Sequence, residues 1–258
     1  MTILDRRAMM LGTITAGCGL IASRVRACGV AEEHPLARPL RMVQQSLAEV
    51  KKRPGYECQF EKYEIVDNSV IQQKLKVKLR HEPFSVYLRF EEPRAGREVI
   101  YVNGRNNNSL LIHEPGVLSL IGTLRRAPDH PDVRRENLYP ITQLGLARLV
   151  ENLIRQWKLE SNYGETEVKY YRDAKMGKTT CNVIESSHPQ PRRQFPFKLT
   201  RVWIDPKSKI VVRIQQYAFP QNASNPPPLV EDYQYSAIRC TSELADLDFD
   251  VDNPTYNF

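Results

Sequence analysis

The apolar and polar positions of this chain change period several times, and each change marks an element. From 36 to 52, LARPLRMVQQSLAEVKK puts Leu36, Leu40, Val43, Leu47 and Val50 at steps of four and three, the repeat of one face of an α-helix. Pro39 suits a first helical turn, and Lys51, Lys52 and Arg53 suit the negative end of the helix dipole before Pro54-Gly55 ends it. From Tyr56 the period becomes two. In QQKLKVKLRH, Lys74, Lys76, Lys78 and Arg80 alternate with Leu75, Val77, Leu79 and His81, giving a cationic and an apolar strand face. Next, Phe84, Val86, Leu88 and Phe90 point one way and Ser85, Tyr87, Arg89 and Glu91 the other. After a turn at Pro93 to Gly96, Ile100 and Val102 oppose Val99 and Tyr101, and Asn103-Gly104 signals a further tight turn before SLLIH. Consecutive half-buried strands with short turns predict an antiparallel meander with one wet face.

A second helical stripe follows in PITQLGLARLVENLIRQWK, with Ile141, Leu144, Ala147, Val150, Leu153, Ile154 and Trp157 on one side and Pro140 at its entrance. Strand patterns then resume through EVKYYRDA, TTCNVIESS, FKLTRVWID, KIVVRIQQYAF and LVEDYQYSAIR, broken at Asp205-Pro206 and Pro226-Pro227-Pro228. About nine or ten strands and two main helices are expected in one α+β domain from 35 to 258. Both helical stripes must be buried against the apolar face of the sheet.

The N-terminus carries an address. Residues 5 to 28, DRRAMMLGTITAGCGLIASRVRAC, join two arginines to an apolar stretch from Ala8 to Ala22 and a short tail ending Val25-Arg26-Ala27. That is the layout of an export signal over residues 1–27, cut after Ala27 and followed by a linker over 28–34. Arg6-Arg7, a glycine-diluted core and Arg24 and Arg26 beyond it resemble twin-arginine signals. A second reading of this segment makes Cys18 or Cys28 a lipidated cysteine, although the usual leucine three residues before Cys18 is absent. The expected location is the bacterial periplasm or cell envelope. Four arginines against Asp5 in this leader mean that removing it lowers the formal charge from +7 to about +4, too mild to point to nucleic acid. With a mean hydropathy of -0.49, the mature chain has no apolar run of the roughly 18 residues a membrane-spanning helix needs. Cys58, Cys181 and Cys240 lie far apart without a C-x-x-C. They are either a disulfide pair with one thiol left over or three small apolar side chains.

Four blocks carry a family likeness: RHEPFSVYLRF (80–90), GREVIYVNGRNN (96–107), LYPITQLGLARLVENLI (138–154) and LADLDFDVDNPTYNF (244–258). Together they resemble the bacterial, planctomycete-type domain-of-unknown-function family 1571, which implies no assigned reaction. More distantly, the order of elements is similar to the periplasmic lipoprotein-carrier (LolA-like) superfamily. That similarity implies an incomplete β-barrel, a curved sheet wrapped around one or two helices, with an apolar cavity for acyl chains. The chain departs from such carriers in its length, its long 115–138 connection and its acidic tail.

Sites of chemistry are sparse. Met176-Gly177-Lys178-Thr179 ends like a phosphate loop, but Arg172 stands where the earlier glycine belongs and a strand pattern follows, so a hairpin turn is expected. Asp246, Asp248, Asp250 and Asp252 alternate as in a calcium loop, without its bend glycine or closing glutamate, and Leu247, Phe249 and Val251 between them predict instead one wet and one packed face. His34, His81, His113, His130 and His188 are scattered singly, and no G-x-S-x-G occurs. No cofactor, metal or catalysis is expected. The leading expectation is an exported protein that binds or carries a lipid or acyl chain without covalent chemistry. The candidate apolar wall is Leu75, Val77, Leu79, Phe84, Val86, Leu88 and Phe90, with Arg80, Tyr101 and His113 as polar groups at its mouth. Alternatives are a structural module that contacts a cell-envelope protein, and an enzyme acting on an envelope component. The stripe Lys74, Lys76, Lys78 and Arg80 is either a solvated strand face or a contact for anionic lipid or polyanion.

Overall fold

In the computed structural model, which describes residues 33–241 and 244–258, the first apolar stripe forms helix α1 (Ala37–Lys51). The signal, its cleavage point after Ala27, and Cys18 and Cys28 lie outside the described residues. Six strands follow: β1 (Gly55–Val66), β2 (Ser69–Arg80), β3 (Ser85–Glu92), β4 (Glu98–Val102), β5 (Leu110–His113) and β6 (Leu124–Arg126). After α2 (Pro131–Arg134) and α3 (Leu146–Glu160), five more complete the sheet: β7 (Glu167–Met176), β8 (Thr179–Ser187), β9 (Leu199–Ile204), β10 (Val211–Tyr217) and β11 (Leu229–Thr241).

All eleven strands belong to one antiparallel sheet in the order β6-β5-β4-β3-β2-β1-β11-β10-β9-β8-β7. It is an open, curved sheet of two meanders joined where β1 pairs with β11. The turns follow the residues that form them. Asp67 (φ 47°) and Asn68 (φ 63°) make the two-residue β1–β2 turn, a conformation that suits hairpins because both central residues take positive φ. Met176-Gly177-Lys178-Thr179 is the tight β7–β8 turn, with Gly177 at φ 56°.

Because β6 and β7 are opposite edges of the sheet, the segment between them must cross from one edge to the other. Helix α3 lies in that crossing and packs with α1 over the concave face. Val43 of α1 and Val150, Leu153, Ile154 and Trp157 of α3 meet Ile184, Val202, Ile204 and Ile214 in one core cluster. A register shift between Val211 and Arg213 interrupts the ladder, and there the Val211 N–H donates to Ser46 Oγ of α1 at 2.7 Å. A second cluster joins Val50, Leu146 and Ala147 to the inward residues of β1 to β5.

Two expectations are corrected, and one left open is resolved. The second helix begins at Leu146, not at Pro140: Ile141–Gln143 is a separate 3-10 turn and Gly145 takes φ 106°. A Cβ on Gly145 would lie 2.5 Å from Leu79 Cδ1 and 2.9 Å from the Tyr56 hydroxyl, so the chain kinks where only glycine fits. The outward face of the first meander is not wholly wet. Tyr87, Ile100, Val102 and Leu111 point outward and are covered by the C-terminal segment through Phe249, Val251, Tyr256 and Phe258. The three cysteines are free. Cys58 and Cys181 sit on β1 and β8, separated in the sheet by β11, β10 and β9, and Cys240 is opposite Tyr56 rather than Cys58.

Candidate functional site: an apolar cavity with a polar end

Between the concave face and the crossing segment lies a cavity of about 1040 Å³, at the upper end of the roughly 300–1,000 Å³ of small-molecule pockets. Strand register builds its floor. Phe60 is opposite Leu75, Leu75 is opposite Phe90, and Phe60 is opposite Tyr235, so four strands present one continuous rung. Phe60 and Tyr235 stack with centroids 4.5 Å apart. Leu88, Val99, Leu110 and Ile112 extend the floor across β3, β4 and β5. The roof is Ile141 and Leu144 of the crossing segment, with Leu149 and Leu153 of α3.

One end of the cavity is polar. Two positions along β1 from Phe60, Lys62 faces inward and, although buried, is fully satisfied. Its ammonium donates to Glu64 Oε2 (3.0 Å), to the Glu136 carbonyl (3.0 Å) and to Asn137 Oδ1 (2.5 Å). Glu64 also accepts from the Leu138 N–H (3.0 Å) and the Tyr233 hydroxyl (2.8 Å). Glu231 accepts from the Tyr139 hydroxyl at 3.3 Å. Burial pushes the Lys62 ammonium below its ordinary value, opposed by Glu64. It lifts the Glu231 carboxyl to about 7, with the Glu64 charge adding to the rise and the tyrosine hydroxyls opposing it. This network ties the 136–139 stretch of the crossing segment to the sheet.

Further charged side chains line the cavity elsewhere, both basic and acidic (Glu114 and Asp132). Among the basic ones are Arg126 of β6 and Arg155 and Lys158 of α3. Of these, Arg126 is 3.8 Å from Asp132; Arg155 and Lys158 are exposed and have no ion-pair partner among the described residues.

Of the expected wall, Leu75, Leu88 and Phe90 line the cavity. Val77, Leu79 and Val86 belong to the same core cluster at the end that α3 fills, with Phe84 packed against it. The expected polar mouth is not assembled. Tyr101 is buried in that core beside Phe84. Arg80 and His113 point to the opposite face, because each is one residue out of phase with the inward set. Arg80 pairs with Asp246 (2.8 Å) and lies over Phe249, and His113 packs on Phe258. The basic stripe is largely neutralised in the same way: Lys78 pairs with Asp248 (2.5 Å) and Lys76 with Glu91 (3.2 Å). Asp246 and Asp248 serve as those partners within a 3-10 turn, and no acid, histidine or cysteine cluster suited to a metal occurs among the described residues.

Sequence reasoning missed the polar end, although its signal is the same alternation. Tyr56, Cys58 and Phe60 face inward, so Lys62 and Glu64 do too, as Glu231 does from Tyr235 and Tyr233. It also missed a buried hydroxyl–imidazole–carboxylate row. Thr166 Oγ1 is 3.4 Å from His188 Nδ1, and His188 Nε2 is 3.3 Å from Glu160 Oε2. The imidazole is stacked under Phe195 with centroids 3.8 Å apart. All three polar residues are at most 5 % exposed and none lines the cavity, so the row fastens the end of α3 rather than meeting a substrate. Burial raises the Cys58 and Cys181 thiols, leaving neither a ready nucleophile.

An open antiparallel sheet folded over two helices, with an apolar cavity beneath the crossing segment, is an incomplete barrel. Residues 53–258 match the model of the family described as "Protein of unknown function (DUF1571)", and the chain belongs to that family. No curated protein matches it. Among solved structures, it is similar to a DUF1329 family protein from Desulfovibrio piger, at 11% identity over 84% of this chain and 98% of that one, with a TM-score of 0.38. It is also similar to a LolA superfamily protein from Nitrosomonas europaea, at 12% identity over 81% and 97% with a TM-score of 0.32. Lipoprotein LppX from Mycobacterium tuberculosis aligns at 14% identity over 76% and 91%, with a TM-score of 0.35.

Proposed function

We propose that this protein is exported and that it binds or carries a lipid-like ligand in the cell envelope, without covalent chemistry. The observation that carries this reading is the cavity floor of Phe60, Leu75, Leu88, Phe90, Val99, Leu110 and Ile112. These side chains give water no hydrogen-bond partners, so exchanging water for hydrocarbon is favourable by about 0.8 kcal/mol per buried methylene. At the polar end Lys62 and Glu64 are paired with each other and Glu231 is bound by a tyrosine hydroxyl, which leaves the apolar section as the binding surface. An acyl chain would lie along the floor with its polar end toward Arg126, Arg155 and Lys158. The leader, with Arg6-Arg7 and Ala27, supports export by the twin-arginine route.

The test is titration with a fluorescent fatty acid. The wild-type protein should bind it saturably, and Val99→Trp, which places an indole in the free volume, should weaken binding by about tenfold or more while keeping the melting temperature. Equal binding by both proteins would remove the cavity from the explanation.

A further inference from the structure

Between β5 and β6 the chain makes a turn that the cavity does not need. Its tip, Gly116–Ile121, is a 3-10 turn of sequence GVLSLI. Val117 is 83% exposed, Leu118 53%, Leu120 87% and Ile121 64%. Eleven large apolar side chains are exposed among the described residues, and four of them fall within these five positions. Exposed apolar residues scattered singly need no explanation, but a cluster does.

The turn is built to hold that cluster outward. Gly116 (φ 69°) and Gly122 (φ 74°) form its corners, and inside it the Ser119 hydroxyl donates to the Gly116 carbonyl (2.7 Å) and the Gly122 N–H to the Ser119 carbonyl (3.0 Å). Backbone groups paired within a turn lower the cost of leaving water. From Pro115 to Arg126 there is no acidic residue, and the apolar tip is followed directly by Arg125 and Arg126. Arg125 is exposed and has no ion-pair partner among the described residues. Two further exposed cations without such a partner, Arg155 and Lys158, line the cavity, as do Leu124 and Arg126. The tip leads directly into Leu124 and Arg126, which line the cavity, and into Arg125, which is opposite Leu111 and takes the outward phase.

We propose that the Gly116–Gly122 turn docks this protein on an anionic lipid bilayer. The four aliphatic side chains enter the acyl boundary, and Arg125 and Arg126 meet lipid phosphates at headgroup depth. An apolar tip with a basic collar matches the polarity profile of a bilayer surface, in which hydrocarbon lies beneath a negatively charged layer. Docking in this way brings Leu124 and Arg126, where the cavity lining follows the tip, to the membrane. The inference stands on the turn and its charges and does not depend on what fills the cavity.

The experiment uses vesicles of phosphatidylcholine with about one quarter phosphatidylglycerol, and pure phosphatidylcholine as comparison. A Leu120→Trp reporter should shift its emission to the blue on adding the anionic vesicles and be quenched by brominated acyl chains. The fourfold variant Val117→Ser, Leu118→Ser, Leu120→Ser, Ile121→Ser should lose about tenfold or more in vesicle affinity with an unchanged melting temperature. Unaltered reporter emission at saturating anionic vesicles would overturn the proposal. So would equal affinity of the fourfold variant, or a wild-type dimer that the serine substitutions dissolve, which would assign the tip to a second copy of the chain.

Discussion

At the scale of single residues, strand phase decides which polar groups enter the interior. Lys62, Glu64 and Glu231 share the inward phase of Phe60 and Tyr235 and meet in the cavity end, whereas Arg80 and His113 are out of phase and reach the tail. The alternation that identified Leu75, Leu88 and Phe90 therefore also encoded the buried charges. What it did not encode is their partners, since Asn137 and Tyr139 arrive from a distant segment. Glu231 gives a pH test. Its carboxyl is raised from 4.5 to about 7, so between those values the folded protein keeps a proton that the unfolded chain has released. Stability is therefore greatest below that window and falls as pH rises through it, by on the order of 3 kcal/mol at most. Glu231→Gln removes the titration. In thermal melts, the advantage of the variant over wild type should grow from pH 5 to pH 8; a constant difference would mean that Glu231 ionises freely in the folded state.

At the scale of elements, periodicity located α1 and most of the strands because each had enough residues to show a repeat. It failed where one contact overrides the pattern. The apolar stripe of 141–157 continues through Gly145, but close packing on Leu79 and the Tyr56 hydroxyl breaks the helix there, and that hydroxyl accepts the Leu146 N–H at 2.8 Å. Three-residue β6 is too short to show a period, and neighbouring strand pairing defines it. In the C-terminal segment Phe249 and Val251 pack on the sheet while Leu247 is exposed, because Asp246–Phe249 is a 3-10 turn whose acids hold Lys78 and Arg80. Phe249, 3% exposed, is its anchor over Tyr87 and Ile100. Phe249→Ala should cost about 3–5 kcal/mol in urea unfolding and speed amide exchange in β4. A loss below about 1 kcal/mol with β4 exchange unchanged would show that the tail rests on the sheet without stabilising it.

At the scale of the whole molecule, the defining contact is the pairing of β1 with β11, which joins residues such as Phe60 and Tyr235. Nothing local in the sequence announces it, and the half-barrel was legible through the order of elements, a helix, a long meander and an inserted second helix, and its similarity to lipoprotein carriers. Once that pairing is made, the opposite edges are β6 and β7, the connection must cross the concave face, and the two helices fill only part of the space. The cavity is thus a consequence of topology, and its apolar floor a consequence of alternation. Native mass spectrometry of protein purified without detergent tests this most directly. The account predicts a mass excess that dissociates on activation and is identified as acyl-chain lipid, reduced in Val99→Trp. Protein that carries no lipid as purified and takes up none from added fatty acid would contradict it.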